Sequence, residues 1–238
     1  MRPLKHGYTN HILSDGAVVK KTYEGPDADL RLRREHELLT RLRGRLPVPP
    51  VVAADDTTLT LGFVRGTPGQ ELLDSGCAEA VLVCCGEVLR RLHETAPNAL
   101  EADAHQADAH QTDAPEGAAF EAGKVLVHGD FGPHNVLLDP ATRAVTAVVD
   151  WEFAHVGDPL EDLAWCEWIV RMHHPAEREA LPHFFRAYGG EVPPWPVRKG
   201  AMLARCEALR EFCHRWDPHG SGVRQWRERS AATAAWAE

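Results

Sequence analysis

The feature that most limits what this chain can become is VLVHGDFGPHNVLLD, Val125 to Asp139, together with the AVTAVVDWE that follows at Ala144–Glu152. Two short apolar runs, 125–127 and 136–138, bracket HGDFGPHN. Runs this short, with Gly and Pro between them, read as two strands joined by a loop. DPATR then turns the chain into a further apolar strand that ends in Asp150. A strand ending in an acidic residue presents that carboxylate at the edge of a cleft.

Elsewhere the patterns divide the chain in two. GAVVKKTY is a β-branched run after the turn SDG, and TLTLGFV reads as another strand after the extended PVPPVVAADD. Between them DADLRLRREHELLTRLRG reads as a helix, acidic at its start and closed by Gly44. VRGTPGQ breaks the pattern, which places a boundary near Gly62–Gly66. Beyond it CAEAVLVCCGEVLRRLHE sets Val81, Leu82, Cys85, Val88, Leu89 and Leu92 on one helical face. GDPLEDLAWCEWIVRM opens a run of helices to the end, broken at YGGEVPPWP and DPHGSG. The expected class is α+β. A small β-sheet lobe with one helix spans 1–64, a larger and mostly helical lobe spans 65–238, and a hinge lies about 61–66. The repeated ADAHQ of ADAHQADAHQTDAP (102–115) has nothing apolar to anchor it, so it reads as a solvated loop or frayed helix rather than a metal site.

Composition excludes several classes. With 238 residues, 44% hydrophobic and 26% charged, this is an ordinary soluble globular chain. The net charge of −9 argues against nucleic acid or an anionic membrane as the main partner. It leaves room for a cationic substrate, although solubility alone explains mild acidity. The six cysteines, Cys77, Cys84, Cys85, Cys166, Cys206 and Cys213, form no C-x-x-C. They read as reduced core residues, not a disulfide framework or zinc site. MRPLKHGYTN lacks the apolar region of a signal peptide, and no run reaches the length of a membrane span. A cytoplasmic monomer or homodimer is expected.

Phosphoryl transfer needs a residue to orient the acceptor hydroxyl, oxygen ligands for Mg2+ and a cation on the phosphates. The kinase catalytic loop spaces its aspartate and asparagine as D-x-x-x-x-N, and Asp130 and Asn135 have that spacing. The magnesium aspartate belongs on the following strand, where Asp150 lies. The literal D-F-G of Asp130, Phe131 and Gly132 suggests another register, with Asp130 on the metal. That register requires a catalytic loop upstream, and 99–134 contains no asparagine. The triplet is therefore a coincidence. In the helix, Glu35 falls on the stripe of Leu32, Leu39 and Leu42, so its carboxylate faces a core and needs a partner. Lys20 ends the apolar run AVVK and is the expected partner, with Lys21 and Glu37 as the other assignments.

VHGDFGPHNVLL followed by AVVDWEFAHVGDPLEDLAW resembles the aminoglycoside phosphotransferase family, related to choline kinases, with a protein-kinase-like fold. His128-Gly129-Asp130, Asn135, Asp150-Trp151-Glu152, Gly157-Asp158-Pro159 and Asp162-Leu163-Ala164 carry the likeness, which covers nearly the whole chain. The resemblance implies a Mg-dependent kinase that uses ATP, or GTP, on a small-molecule hydroxyl. Asp130 would be the base or acceptor-orienting residue. Asn135 and Asp150 would bind Mg2+. Lys20 would contact the phosphates, braced by Glu35. Backbone groups of Gly62 and Val64 in the hinge would hold adenine. GYTNHILSDG lacks G-x-G-x-x-G, and leaves Thr9 and Asn10 as candidates for phosphate contact. His128 would hold the loop. Asp158 fits a helix N-cap with Pro159 at N1 and Glu161 at N3, and Asp162 reads as inward-facing support. Family and charge together suggest a cationic acceptor, an aminoglycoside or related antibiotic, with ammonium groups on Glu167, Glu207, Glu211 or Asp217. Solvated helix faces account for those four acids equally well. Choline-like alcohols, homoserine and sugars remain open, as does a nucleotide-binding pseudokinase. A binuclear metallophosphoesterase is disfavoured, because Pro133 stands where its second aspartate belongs.

Overall fold

The alternation of TLTLG and the β-branched run of VVKKTY set the first sheet. A computed structural model describes residues 1–3, 10–95 and 123–238. In it β1 (Arg2–Pro3), β2 (Asn10–Ser14), β3 (Val18–Tyr23), β4 (Val51–Ala54) and β5 (Thr58–Gly62) form an antiparallel sheet in the order β1-β2-β3-β5-β4. Val19 lies opposite Leu61 and Lys21 opposite Leu59, whereas Lys20 lies opposite Thr60. Successive strand residues face opposite sides. Val19, Lys21, Tyr23, Leu59 and Leu61 thus share the inner face, and Lys20 is exposed with the threonines on the other.

Helix α1 (Ala28–Leu42) packs on that sheet and buries Leu32, Leu38, Leu39 and Leu42. Two charged residues, Arg31 and Glu35, lie on the same buried stripe. The helix stops at Arg43, and Gly44 follows at φ 79°, the left-handed conformation that ends helices cheaply at glycine.

The remainder is mostly helical. β6 (Thr67–Pro68), β8 (Val136–Leu138) and β9 (Val145–Val148) make a second antiparallel sheet, and β7 (Val125–Val127) pairs with β10 (His155–Gly157). The helices are α2 (Gly69–Asp74), α3 (Ala78–Thr95), α4 (Pro159–His173), α5 (Leu181–Tyr188), α6 (Trp195–Trp216) and α7 (Ser221–Ala235). The expected α+β class is therefore met. One core cluster runs from Leu39 and Leu59 through Leu82 and Leu89 to Phe131 and Trp151. A second joins Trp165, Trp168, Met202, Cys206 and Leu209. The six cysteines are all free. Thr9 and the ADAHQ repeat lie outside the described residues.

Helices α3 and α5 approach closely at Gly86. A Cβ there would meet the Phe184 carbonyl oxygen and lie 2.8 Å from the Tyr188 nitrogen. Both are backbone atoms and cannot rotate away. Overpacking costs about 1–3 kcal/mol, against roughly 1 kcal/mol gained in helix propensity. Gly86→Ala should therefore lower Tm by a few degrees in a thermal melt; a raised Tm would refute the close approach.

Candidate active site

The loop after β7 is held from beneath by a single carboxylate. Asp162, fully buried on α4, accepts from His128 N–H at 2.7 Å and Gly129 N–H at 2.9 Å, and faces His93 Nε2 at 3.1 Å. Gly129 sits at φ 81°, and a Cβ there would lie 2.5 Å from the Phe153 carbonyl oxygen. Only glycine fits this turn without strain. His128 Nδ1 accepts from Asp130 N–H at 3.2 Å, so Nε2 carries the proton and meets Val149 O at 3.1 Å. Burial pushes the His128 pKa down, which keeps the ring neutral. Phe131 is fully buried against the edge of His128. The phenylalanine of the literal D-F-G is thus a core anchor.

With the loop fixed, its polar side chains converge. Trp165 Nε1 donates to Asp130 Oδ1 at 2.8 Å. Asn135 Nδ2 donates to the Asp130 backbone oxygen at 2.9 Å and to Oδ2 at 3.2 Å, and His134 Nε2 lies 3.3 Å from the same Oδ2. Burial raises the Asp130 pKa, but His134, Arg205 and the Trp165 indole outweigh it and hold the carboxyl well below the usual range. Val149 N–H donates to Asn135 O at 2.9 Å, which brings Asp150, the next residue, alongside. Asp150 has φ 69°, a left-handed conformation that a non-glycine residue adopts only under constraint.

Sequence reading expected Lys20 in this site, and the structure corrects it to Lys21. The run AVVK does not reveal which way the strand faces, but Tyr23 and Val19 share parity with Lys21. Lys21 Nζ donates to Glu35 Oε2 at 2.6 Å and to Asp150 Oδ1, with Glu152 Oε2 at 3.8 Å. Burial lowers the Lys21 pKa, but Asp150, Glu35 and Glu152 more than reverse this. Burial pushes the Asp150 carboxyl up to about 7 against the pull of Lys21, helped by Glu152, Glu35 and Asp130. Glu35, Asp150 and Glu152 each bring an oxygen within 4.8 Å of the others, a set able to face a cation. Only Asp150 among them is open, with 29% side-chain exposure against 2% for Glu35 and 1% for Glu152. Glu152 is tied to Arg31 Nη1 at 2.6 Å and Asn10 Nδ2 at 2.7 Å.

The other expected residues fall in different places. Asp158 caps α4 in a full capping box, accepting from Leu160 N–H at 2.9 Å while Glu161 accepts from Asp158 N–H at 3.0 Å. Gly62 ends β5 with its N–H on Pro50 O at 2.8 Å, and half-buried Val64 follows in the connector. Glu167 cannot greet an acceptor, because it is 1% exposed and bonded to Arg171 and Arg198, each at 2.8 Å. Its helix is buried almost all round over 162–170, so a polar letter there did not mean a wet face. Glu207 is exposed and held by Arg210, Glu211 lies 3.9 Å from the same guanidinium, and Asp217 accepts from His219 N–H in the turn after α6. Glu167→Gln should destabilise the protein by about 3 kcal/mol, because buried Arg171 loses its counter-charge and buried Arg198 keeps only the exposed Glu238. Urea unfolding measures this, and a changed acceptor KM with full stability would overturn the structural role.

Sequence reading missed Trp165, His134 and Arg205 around Asp130, and Arg31 beside Glu152. Arg31 carried a signal, its place on the stripe of Glu35, Leu38 and Leu42. Trp165 and Arg205 carried none, since their approach to Asp130 depends on how α4 and α6 pack.

A family model described as the phosphotransferase enzyme family matches residues 1–122 and 100–201. The GDP and kanamycin complex of APH(2")-IIia superposes with a TM-score of 0.71 at 16% identity, covering 98% of this chain and 92% of that one. Macrolide 2'-phosphotransferase MphH from Brachybacterium faecium gives 0.60 at 22% identity, covering 100% and 92%. A choline/ethanolamine kinase family protein from Mesorhizobium loti gives 0.63 at 18%, covering 99% and 88%. Identities this low establish the fold, which is bilobal and protein-kinase-like. A curated relative, acyl-CoA dehydrogenase family member 11 from Gallus gallus, is 45% identical over 42 residues, 18% of this chain and 5% of that protein. The chain thus spans about 5% of the length of the curated relatives it matches.

Proposed function

The chain belongs to the phosphotransferase enzyme family, and from its site we propose that it moves the γ-phosphate of ATP or GTP, with Mg2+, to a hydroxyl of a small molecule. The observation that carries this reading is Lys21 bonded to both Glu35 and Asp150, next to an Asp130 whose carboxylate is held ionised.

Asp130 orients the acceptor hydroxyl. Trp165 and Asn135 fix its carboxylate, so little ordering remains when the acceptor arrives. Lys21 is a compact point charge for the phosphates, kept in place by Glu35. The donor set suits Mg2+, a hard cation that prefers oxygen. Asn135 turns its amide nitrogen to Asp130 and so has its oxygen for the metal, while Asp150 supplies the exposed carboxylate. When bound, the ion would neutralise charge on the phosphate oxygens. Residues 1–64 form the nucleotide lobe in this reading, with adenine on the backbone of Gly62 and Val64 and the phosphates near Thr9 and Asn10. Residues 65–238 hold the loop and the acceptor. The solved neighbour with GDP supports a nucleotide donor.

An aminoglycoside or related antibiotic is the acceptor that fold neighbours suggest, kanamycin being bound to one of them. The charge beside Asp130 speaks for a different class. The test of the reaction is nucleoside diphosphate release with Mg·ATP or Mg·GTP across aminoglycosides, peptide antibiotics, choline, homoserine, sugars and hydroxy acids. Acceptor-dependent release that disappears without Mg2+ is expected. Failure to bind either nucleotide by calorimetry would sink the proposal, and binding without release for any acceptor would favour a pseudokinase.

A further inference from the structure

Arg205, on α6, helps hold the Asp130 carboxyl ionised but makes no direct bond in the chemistry above. Its guanidinium stacks over the rings of Phe153 at 5.1 Å and Trp165 at 5.7 Å from the centroids. Trp165 is the residue that donates to Asp130. Stacking uses the guanidinium face and leaves its N–H edge to find acceptors. Nε and Nη2 are nevertheless buried without a hydrogen-bond acceptor among the described residues. Buried charged donors are normally satisfied, so this edge is built for a group that arrives from outside.

A cavity of about 200 Å³ between α1 and α6 has Arg205 in its wall. Its wall carries Arg31, Arg34, Arg205 and Arg215 against one carboxylate, Asp27. Arg215 is paired with Asp27 at 2.9 Å and Arg31 with Glu152. Arg34 reaches only the Glu152 backbone oxygen, at 3.2 Å. Arg34 and Arg205 therefore line the cavity with no direct ion pair to a carboxylate among the described residues, the nearest charge acting on Arg205 being Asp130 itself. The space equals roughly seven waters, enough for an oxyanion with a few carbons. An ammonium group seated here would meet four guanidinium groups against the one carboxylate of the wall.

We propose that the acceptor is an alcohol bearing an oxyanion, a carboxylate or a phosphate, which seats on Arg205 and Arg34 while its hydroxyl meets Asp130. The inference rests on the phosphotransferase reading and names the substrate class of that site. The acceptor oxygen forms a bond to the γ-phosphorus. The bond from that phosphorus to the β–γ bridging oxygen breaks, and nucleoside diphosphate leaves with the electron pair. The hydroxyl proton passes by way of Asp130 to water. The oxyanion is a spectator that fixes the approach.

The test uses the full chain with saturating Mg·ADP at constant ionic strength. The probes are inorganic phosphate and four matched three-carbon compounds: glycerate, glycerol 3-phosphate, glyceramide and 3-amino-1,2-propanediol. Kanamycin serves as a polycation. A saturable rise in Tm is expected with the oxyanions and not with the amide, the amine or kanamycin. The stronger of glycerate and glycerol 3-phosphate identifies the oxyanion. Arg205→Gln should weaken the oxyanion response roughly 10-fold or more, as befits a charge-assisted bidentate contact. Arg34→Gln should weaken it less, and Arg205→Lys should retain part of it. No response to any oxyanion, an equal or stronger response to amine or kanamycin, or unchanged oxyanion affinity in folded Arg205→Gln overturns the proposal. If that variant does not fold, Arg205→Lys and Arg34→Gln decide the matter. The reaction itself fails by a separate reading, the absence of any Tm rise with Mg·ADP alone.

Discussion

Replacing Asp130 with asparagine should lower kcat on the order of 100-fold or more and leave Mg·nucleotide affinity within roughly a factor of two, if Asp130 orients the acceptor as proposed. The asymmetry follows from what surrounds the carboxylate. Oδ1 receives the Trp165 indole, while Oδ2 faces Asn135 Nδ2 and His134 Nε2. An amide keeps the shape but puts an N–H where a donor already points. It also removes the negative charge that draws in the acceptor hydroxyl. Neither loss breaks a bond to Lys21 or Asp150, and removing the Asp130 charge only eases the ionisation of Asp150, so nucleotide binding should persist. Steady-state nucleoside diphosphate release and a calorimetric Mg·ATP titration read the two effects separately. Unchanged turnover in this variant would remove Asp130 from the acceptor site.

The second large effect separates two adjacent lysines. Lys21→Met should abolish measurable nucleotide affinity and lower stability by about 3–5 kcal/mol, because Glu35, Asp150 and Glu152 lose the ammonium they share. Lys20→Met, on the exposed face opposite Thr60, should stay within about 0.5 kcal/mol of the parent. Urea unfolding and nucleotide titration of both variants give four numbers. Loss of binding in Lys20→Met with binding kept in Lys21→Met would reverse the facing of β3.

That pair of lysines marks where sequence reading reaches its limit. Asp130, Asn135 and Asp150 were legible because loop spacing and strand ends are local properties. Glu35 was legible because a carboxylate on a leucine stripe is a local contradiction that demands a partner. Strand parity is also local, but AVV offers apolar residues to both faces, and Tyr23 with Leu59 settles it only once pairing is known. Arg31 and Glu152 were hidden for another reason. They stand 121 positions apart, and each looks like a solvated charge until the other is placed beside it. Glu167 erred the opposite way, since a helix buried on every side gives its charges no periodicity to stand out from. Overall class came through because TLTLG and the α3 stripe have unmistakable periods.

The Arg31–Glu152 bond has a bearing on control. Many switchable folds idle by letting one helix swing away from its sheet. Here α1 is riveted twice, by Arg31 to Glu152 and by Glu35 to Lys21, both pairs buried. Swinging it out would break both buried pairs at once. If the proposed chemistry holds, a protein fastened in this way would stand at the ready. Its output would be metered by how much of it the cell makes and by when its acceptor appears, not by a latch inside the molecule.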